Sequence, residues 1–224
     1  MSTAERKERE KESRKESIID AAQKVFFDKG LLLSTMDEIA ETAELAKGTL
    51  YLYYRSKEDL YLAVTMRGLM ILRTMFEQVI EKKMSAVQTL FDLTKTYTEF
   101  YRIHTAYFRM LHFFNTPQFH KQVSDEMMTS CDTLNQSLWN LAIDVMKRGA
   151  ADQTIRHDIN PIEIALILWS NATTLLMRID YQYDLWKSKM NVDLNDTLAM
   201  SNILFLESVL TDRGKKELHA IVNY

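Results

Sequence analysis

A chain of 224 residues can form one large domain or two unequal ones, and 46% hydrophobic with 26% charged residues excludes wholesale disorder. Glycine and proline together number seven, about 3% of the chain against an average usage of about 12%, which excludes a turn-rich all-β fold. The net charge of −3 offers no general attraction to nucleic acid, and residues 1–60, with eleven Lys plus Arg against thirteen Asp plus Glu, stand at −2 themselves.

The sparse glycines and prolines act as punctuation, and the segments between them read as helices. The first runs from about Arg6 to Lys29, with Ile18, Ala22, Val25 and Phe26 at helical spacing and Gly30 as its C-terminal stop. Its first dozen residues are charged all round and read as a frayed or solvent-projecting arm. They hold no apolar run, so they are not expected to serve as a secretory signal. Thr35 followed by Glu38 has the form of a capping box, opening a second short helix with Met36, Ile39, Ala40 and Ala43 on one face. A third short helix begins near Ala46 and ends at about Tyr54. Ser56 with Asp59 offers another cap of the same kind for a long fourth helix reaching towards Glu81. Three short helices, the second and third joined by a tight turn, outline a helix-turn-helix domain.

Beyond residue 82 the chain becomes rich in aromatics and methionine, with helical stripes such as Leu90, Thr94, Tyr97, Tyr101 and His104. Pro117 breaks the pattern after Phe113 and Phe114. A long helix then carries Met127, Cys131, Leu134, Leu138, Leu141 and Val145 up to Gly149. Cys131 is the single cysteine, which allows no intramolecular disulfide and no thiolate zinc site, and fits a reducing cytoplasm. Pro161 marks the first turn of the next helix, which continues to about Trp186. Its uncharged stretch, Ile164 to Met177, is fourteen residues long and interrupted by Ser170, Asn171, Thr173 and Thr174. A bilayer takes about 20 apolar residues, so no membrane span is expected. In the last strong helix, near Asn195 to Leu210, the adjacent Ile203, Leu204, Phe205 and Leu206 cover every side and demand burial on more than one face.

The stretch Ala46-Lys47-Gly48-Thr49-Leu50-Tyr51-Leu52-Tyr53-Tyr54-Arg55-Ser56-Lys57 carries the most chemistry. On a helical wheel Leu50 and Tyr54 turn to one side, towards Ile39, Ala43 and Leu45, while Gly48, Thr49 and Leu52 project opposite. An exposed leucine beside Thr and Gly suits a major groove, where thymine methyls take apolar contacts, Thr donates or accepts, and Gly allows close backbone approach. Lys47, Tyr51, Tyr53 and Lys57 suit phosphate contacts, and the helix N-terminus at Thr35 can offer amides to another phosphate. An amphipathic helix packed inside a larger bundle is the competing reading of this pattern taken alone.

The run from Ile18 through Ala21-Ala22, Phe26, Gly30, Thr35, Ile39-Ala40, Ala43 and Lys47-Gly48-Thr49-Leu50-Tyr51 to Tyr54 and Ser56-Lys57-Glu58-Asp59-Leu60 resembles the N-terminal signature of the tetracycline-repressor (TetR) family. The resemblance covers about 45 residues, a fifth of the chain, and its ordered spacing is highly specific. It implies an all-α homodimeric regulator: a three-helix helix-turn-helix DNA-binding domain with its N-terminal arm at residues 1–56, joined by a long helix to a helical effector-binding and dimerisation bundle at 57–224. Carried over by position, the recognition helix is Lys47 to Tyr54, the phosphate-binding tyrosine is Tyr51 and the phosphate-binding lysine is Lys57. Two positions depart from the pattern. Where the family usually has Ala-Gly-Val-Ser, this chain has Ala43-Glu44-Leu45-Ala46, losing the turn glycine and the capping serine. Glu44 is expected in an unfavourable turn conformation, and each loss costs on the order of 1 kcal/mol. An acid so close to the backbone also repels phosphate, so a modest, steeply salt-dependent affinity follows.

The same resemblance implies that helices near 161–187 and 195–212 pair with their copies in a second subunit, which would account for the apolar run at 203–206. Two recognition helices could then reach successive major grooves of a double-stranded operator. Phe113, Phe114, Trp139 and Trp169, with Tyr97, Tyr101, Met110, Met127 and Cys131, are candidates to line an apolar effector cavity, the bland alternative for each being plain core. His104 and His112 lack metal-ligand spacing and read as core or pocket histidines. Asn171 and Thr174 are candidates for a polar contact to a ligand or for a helix-to-helix hydrogen bond. The expectation is a cytoplasmic, ligand-responsive regulator, a repressor released from its operator by an apolar or amphipathic effector. The alternative is a helical carrier or enzyme whose N-terminal helices are structural. No Gly-rich phosphate loop, His-Glu-x-x-His or Gly-x-Ser-x-Gly is present, and nothing in the pattern implies a cofactor or a metal.

Overall fold

The computed structural model describes residues 3–114, 119 and 121–222, the side chain of Phe114 excepted. Among the described residues the chain is all-helical: α1 (Thr3–Leu33), α2 (Met36–Thr42), α3 (Lys47–Tyr53), α4 (Lys57–Glu81), α5 (Ala86–Ile103), α6 (Thr105–Phe114), α7 (Asp125–Ala151), α8 (Pro161–Met190), α9 (Leu194–Val209) and α10 (Asp212–Val222). The only extended pairing in them is an isolated bridge between Ile155 and Leu210.

The punctuation read from sequence sets most boundaries. Gly30, at φ 68° and ψ 177°, kinks α1 in a conformation essentially reserved for glycine, and Leu31–Leu33 continue as a short helical piece beyond it. Asn160 caps α8 ahead of Pro161, with its side chain accepting from the Ile162 amide. Three features differ from expectation. The charged arm is helical from Thr3, laced by pairs such as Arg6 with Glu10 and Lys15 with Glu12, because oppositely charged residues three and four apart share a helix face. The stripe expected to run through His104 breaks there into α5 and α6. Helix α10 was not expected, since its charged residues obscure the single apolar face on which Leu218 is buried.

The chain forms two compact units. The first comprises residues 1–71 and 104–135, hence α1 to α3, the first half of α4, α6 and the start of α7. Its core holds Ile18, Ala22 and Phe26 of α1, Met36 and Ile39 of α2, and Leu50 of α3. Leu60 to Val64 of α4 are buried at five successive positions, so this stretch is covered on every side. Ser56 caps α4 by accepting from the Asp59 amide at 2.9 Å, as its spacing suggested. Asp59 does not close the box. Its buried carboxylate instead accepts from the Ser124 amide at 2.8 Å, fixing the approach to α7.

The second unit comprises residues 72–103 and 136–224. Leu90 and Leu93 of α5, Val145 and Met146 of α7, and Leu206, Leu210 and Leu218 share its core. Helices α8 and α9 form an antiparallel pair closed by Asn191 in the left-handed region and by Asp193, which caps α9. Asp193 also accepts from the Tyr183 hydroxyl at 2.8 Å and pairs with Lys187 at 3.1 Å. Along α8 an 18-residue window averages a hydropathy of 1.3 with only 22% of it buried, which by length and composition alone suffices for a bilayer. The fourteen-residue uncharged stretch understates this helix because Ile162 and Ile179 lie just beyond Glu163 and Arg178, the two charges that bound it.

Candidate nucleic-acid interface

Helices α2 and α3 and the turn between them lie wholly within the first unit. The α2 cap is a complete box: Thr35 Oγ1 accepts from the Glu38 amide at 3.2 Å, and Glu38 Oε2 accepts from the Thr35 amide at 3.1 Å. Lys29, 2.6 Å from Glu38, together with the Thr35 amide holds the Glu38 carboxyl below its ordinary pKa. Asp37, in the same turn, pairs with Lys47 at 2.7 Å and raises its ammonium pKa. Thr35 therefore serves the fold as a cap, and two first-turn carboxylates stand where a phosphate would approach.

The turn contains both departures noted in the sequence. Glu44 adopts φ 56°, and the Leu45 amide reaches back to the Ala40 carbonyl at 2.9 Å. Ala46 occupies the α3 cap position without a side-chain hydrogen bond. The helix forms nonetheless, because Leu50 is fully buried and Tyr54, only 8% exposed, anchors its C-terminal end. Burial, then Glu16 and Glu12, pushes the Tyr54 phenol up to about 12, so it is a neutral packing residue at physiological pH.

The opposite face of α3 is open. Lys47, Gly48 and Tyr51 are exposed, Leu52 is 83% exposed, and Thr49 and Tyr53 are half-buried. Lys57 is half-buried, and its Nζ donates to the Ser34 carbonyl at 2.8 Å, tying the start of α4 to the turn ahead of α2. An ammonium has three donors, so this bond leaves two for another acceptor. Residue spacing gave no sign of the Lys47–Asp37 and Lys57–Ser34 contacts, which depend on the turn bringing α2 and α3 together. Arg55, exposed just past α3, was absent from the expected set, although it flanks the same helix.

The aromatic and polar residues expected around an effector divide between the two units. In the first, Met110 and Cys131 are buried, Met127 is half-buried, and Phe113 lies edge-on to Tyr61 at 5.8 Å. Phe114 falls outside the described side chains. Burial pushes the Cys131 thiol up to about 12, which leaves it a small apolar residue. In the second unit Trp139 and Trp169 meet at a 5.4 Å centroid separation, and the buried Tyr97 hydroxyl bonds Thr173 at 2.7 Å. Burial pushes the Tyr97 phenol up to about 12. Tyr101 donates to Asp180 at 3.4 Å. Asn171 donates to Ser201 of α9 at 2.6 Å, while Thr174 is exposed and bonds its own helix at Ser170. The helix-to-helix reading thus holds for Asn171, and Thr174 faces solvent. Among the described residues no group of His, Cys, Asp and Glu could hold a metal ion.

Comparison with known proteins adds to this geometry. Residues 18–64 match the family described as bacterial regulatory proteins, tetR family. The chain is similar to the HTH-type transcriptional repressor KstR2 of Mycolicibacterium smegmatis, 25% identical over 66% of this chain and 70% of that protein. It is similar also to the HTH-type transcriptional activator FasR of the same organism, 32% identical over 42% of this chain and 46% of that one. Among solved structures the fold matches the fatty acid degradation regulator FadR of Bacillus halodurans with a TM-score of 0.65, at 16% identity, over 86% of this chain and 94% of that chain.

Proposed function

We propose, for a chain whose residues 18–64 carry the N-terminal domain of the tetR family of bacterial regulatory proteins, that it is a ligand-responsive DNA-binding repressor working in the cytoplasm. The observation that carries this reading is the outward face of α3, where Leu52, Tyr51, Gly48 and Lys47 stand exposed above a buried Leu50. A leucine 83% exposed costs hydrophobic free energy on a free surface and gains it against thymine methyls in a major groove. Gly48 and Thr49 provide close approach and a hydrogen-bonding group, and Lys47, Tyr51, Tyr53, Arg55 and Lys57 surround them as phosphate contacts. Thr35 acts indirectly, through the cap that orients α2.

The functional division falls at the start of α4: residues 1–56 read DNA, and 57–224 bind the effector and dimerise. A second copy would cover α8 and α9, whose Ile162, Leu166, Ile167, Tyr181, Leu185, Met200 and Leu204 are exposed in one protomer. This accounts for the poor burial of an apolar helix better than a bilayer does. The effector has an apolar body; FadR, named for fatty acid degradation, supports an acyl or similarly lipidic compound. Release by a factor of 100 asks for about 2.7 kcal/mol of differential affinity, within reach of one buried small molecule.

The test is fluorescence anisotropy with duplex DNA from upstream of the protein's own gene. Leu52→Ala is expected to lose on the order of 1–3 kcal/mol and to blur sequence preference, whereas Tyr51→Ala should weaken binding evenly across sequences. Retention of full affinity by both variants overturns the assignment of this face.

A further inference from the structure

Arg67 lies midway along α4, and its guanidinium gathers three residues of α1. Nη1 donates to Asp20 at 2.7 Å and to Gln23 at 2.9 Å, and Nη2 donates to Glu16 at 2.6 Å. The same Gln23 amide oxygen accepts a second bond, from the Tyr107 hydroxyl of α6 at 2.6 Å. Tyr107 is 5% exposed, and its ring stands edge-on to Phe27 of α1 at a 4.9 Å centroid separation. It also lies against Gly68, where a Cβ would fall 2.7 Å from the ring. Glycine inside a helix costs about 1 kcal/mol relative to alanine, and here the approach of Tyr107 requires it. One side chain of α6 therefore touches both α1 and α4, all within the first unit.

We propose that Tyr107 is the coupling residue through which a displacement of α6 reaches the DNA-reading helices, with Gln23 and Arg67 as its receivers. The proposal deepens the regulator reading and rests on it. Helix α1 supplies Ile18, Ala22 and Phe26 to the core on which α2 and α3 pack, so a change in its seating moves them. At the other end of α6 the Met110 carbonyl accepts from the Tyr61 hydroxyl at 3.5 Å, and Tyr61 stands edge-on to Phe26. Met110, Phe113, Met127 and Cys131, four of the candidate effector contacts, thus belong to the same packed unit as α3. A ligand that shifts α6 withdraws the Tyr107 hydroxyl from Gln23 and the ring from Gly68 in one motion. The interior is close-packed, so the shift is passed on rather than absorbed.

The test compares full-length Tyr107→Phe, which keeps the ring and removes its hydroxyl's bond to Gln23, with Thr211→Ala, which removes a hydroxyl that donates to the Gln153 and Thr154 carbonyls and accepts from the Gly214 amide, all in the second unit. The readouts are amide hydrogen exchange of residues 18–29 and affinity for duplex DNA from upstream of the protein's own gene. Tyr107→Phe is expected to speed exchange in α1 and weaken DNA binding about three- to tenfold, while Thr211→Ala stays within twofold on both. Unchanged exchange in Tyr107→Phe, or an equal effect of Thr211→Ala, overturns the proposal. If the wild-type protein gives no sequence-selective shift with any such DNA, the regulator reading fails, and the exchange comparison still decides whether Tyr107 couples α6 to α1.

Discussion

At Glu44 the backbone sits at φ 56°, a region that disfavours any residue with a Cβ, and one residue pair later α3 begins without a side-chain cap. Both costs are removable. Ala46→Ser should raise stability by about 0.5–1 kcal/mol, read as an increase in Tm of about 2–4 °C per kcal/mol. Glu44→Gly relieves strain but loosens the unfolded chain, so its net gain is at most about 1 kcal/mol. Its clearer effect is on DNA affinity, which should rise most at low salt as a repelling carboxylate leaves the interface, the gain shrinking as salt screens that repulsion. A fall in affinity for Glu44→Gly would show that the strained turn is needed to aim α3. Gly30 has open space around the site a Cβ would take, so Gly30→Ala reports on the backbone alone and should cost about 1–3 kcal/mol in thermal unfolding. Cys131 is 1% exposed with its thiol pushed up to about 12, so a disulfide reagent at pH 8 should modify it only on unfolding.

Among the elements, the α8–α9 pair shows how a single carboxylate closes a turn. Asp193 receives the Tyr183 hydroxyl, the Lys187 ammonium and the Asn195 amide, which together hold its pKa well below the usual carboxylate range. The unfolded chain lacks these donors, so the Asp193 contribution is fully present at neutral pH. It begins to fall near the ordinary value of about 3.9 and is lost as pH drops through the folded value. Asp193→Asn should therefore flatten the acid limb of the stability profile, measured by urea unfolding between pH 5 and 2. An unchanged limb would mean that other carboxylates govern it. The α2–α3 element depends on different physics. Its helices are seven residues each, too short to persist alone, and they rely on the buried Ile39 and Leu50.

On the scale of the whole molecule, exposed apolar positions along α8 and α9 recur four residues apart, as at Ile162 and Leu166, Tyr181 and Leu185, and Met200 and Leu204. Under the proposed dimer reading, such stripes would form the seam of the two-fold interface. Leu166→Glu combined with Leu204→Glu is expected to yield monomers by sedimentation. Operator affinity should drop by much more than tenfold, because one recognition helix cannot use two half-sites about 34–36 Å apart. A double variant that stays dimeric would place the interface elsewhere.

The chain alone determined the helical class, the order of the long elements and the outward face of α3, because these follow from local rules. Gly30, the Thr35 and Glu38 box, Ser56 and Pro161 terminate or start helices through bonds within a few residues, and a 3.6-residue period assigns Leu50 inward and Leu52 outward without knowledge of the partner surface. The strain at Glu44 and the absent cap at Ala46 were legible for the same reason. What tertiary structure decided is where long-range partners meet. Asp59 turned to Ser124 rather than to its own cap, Lys57 to Ser34 and Lys47 to Asp37, and α6 joined the unit that holds α3. These pairings lie beyond the periodicity of any one helix. They are fixed by how the buried faces pack, since a charged or hydroxyl group can be satisfied by any partner that the packing brings within about 3 Å.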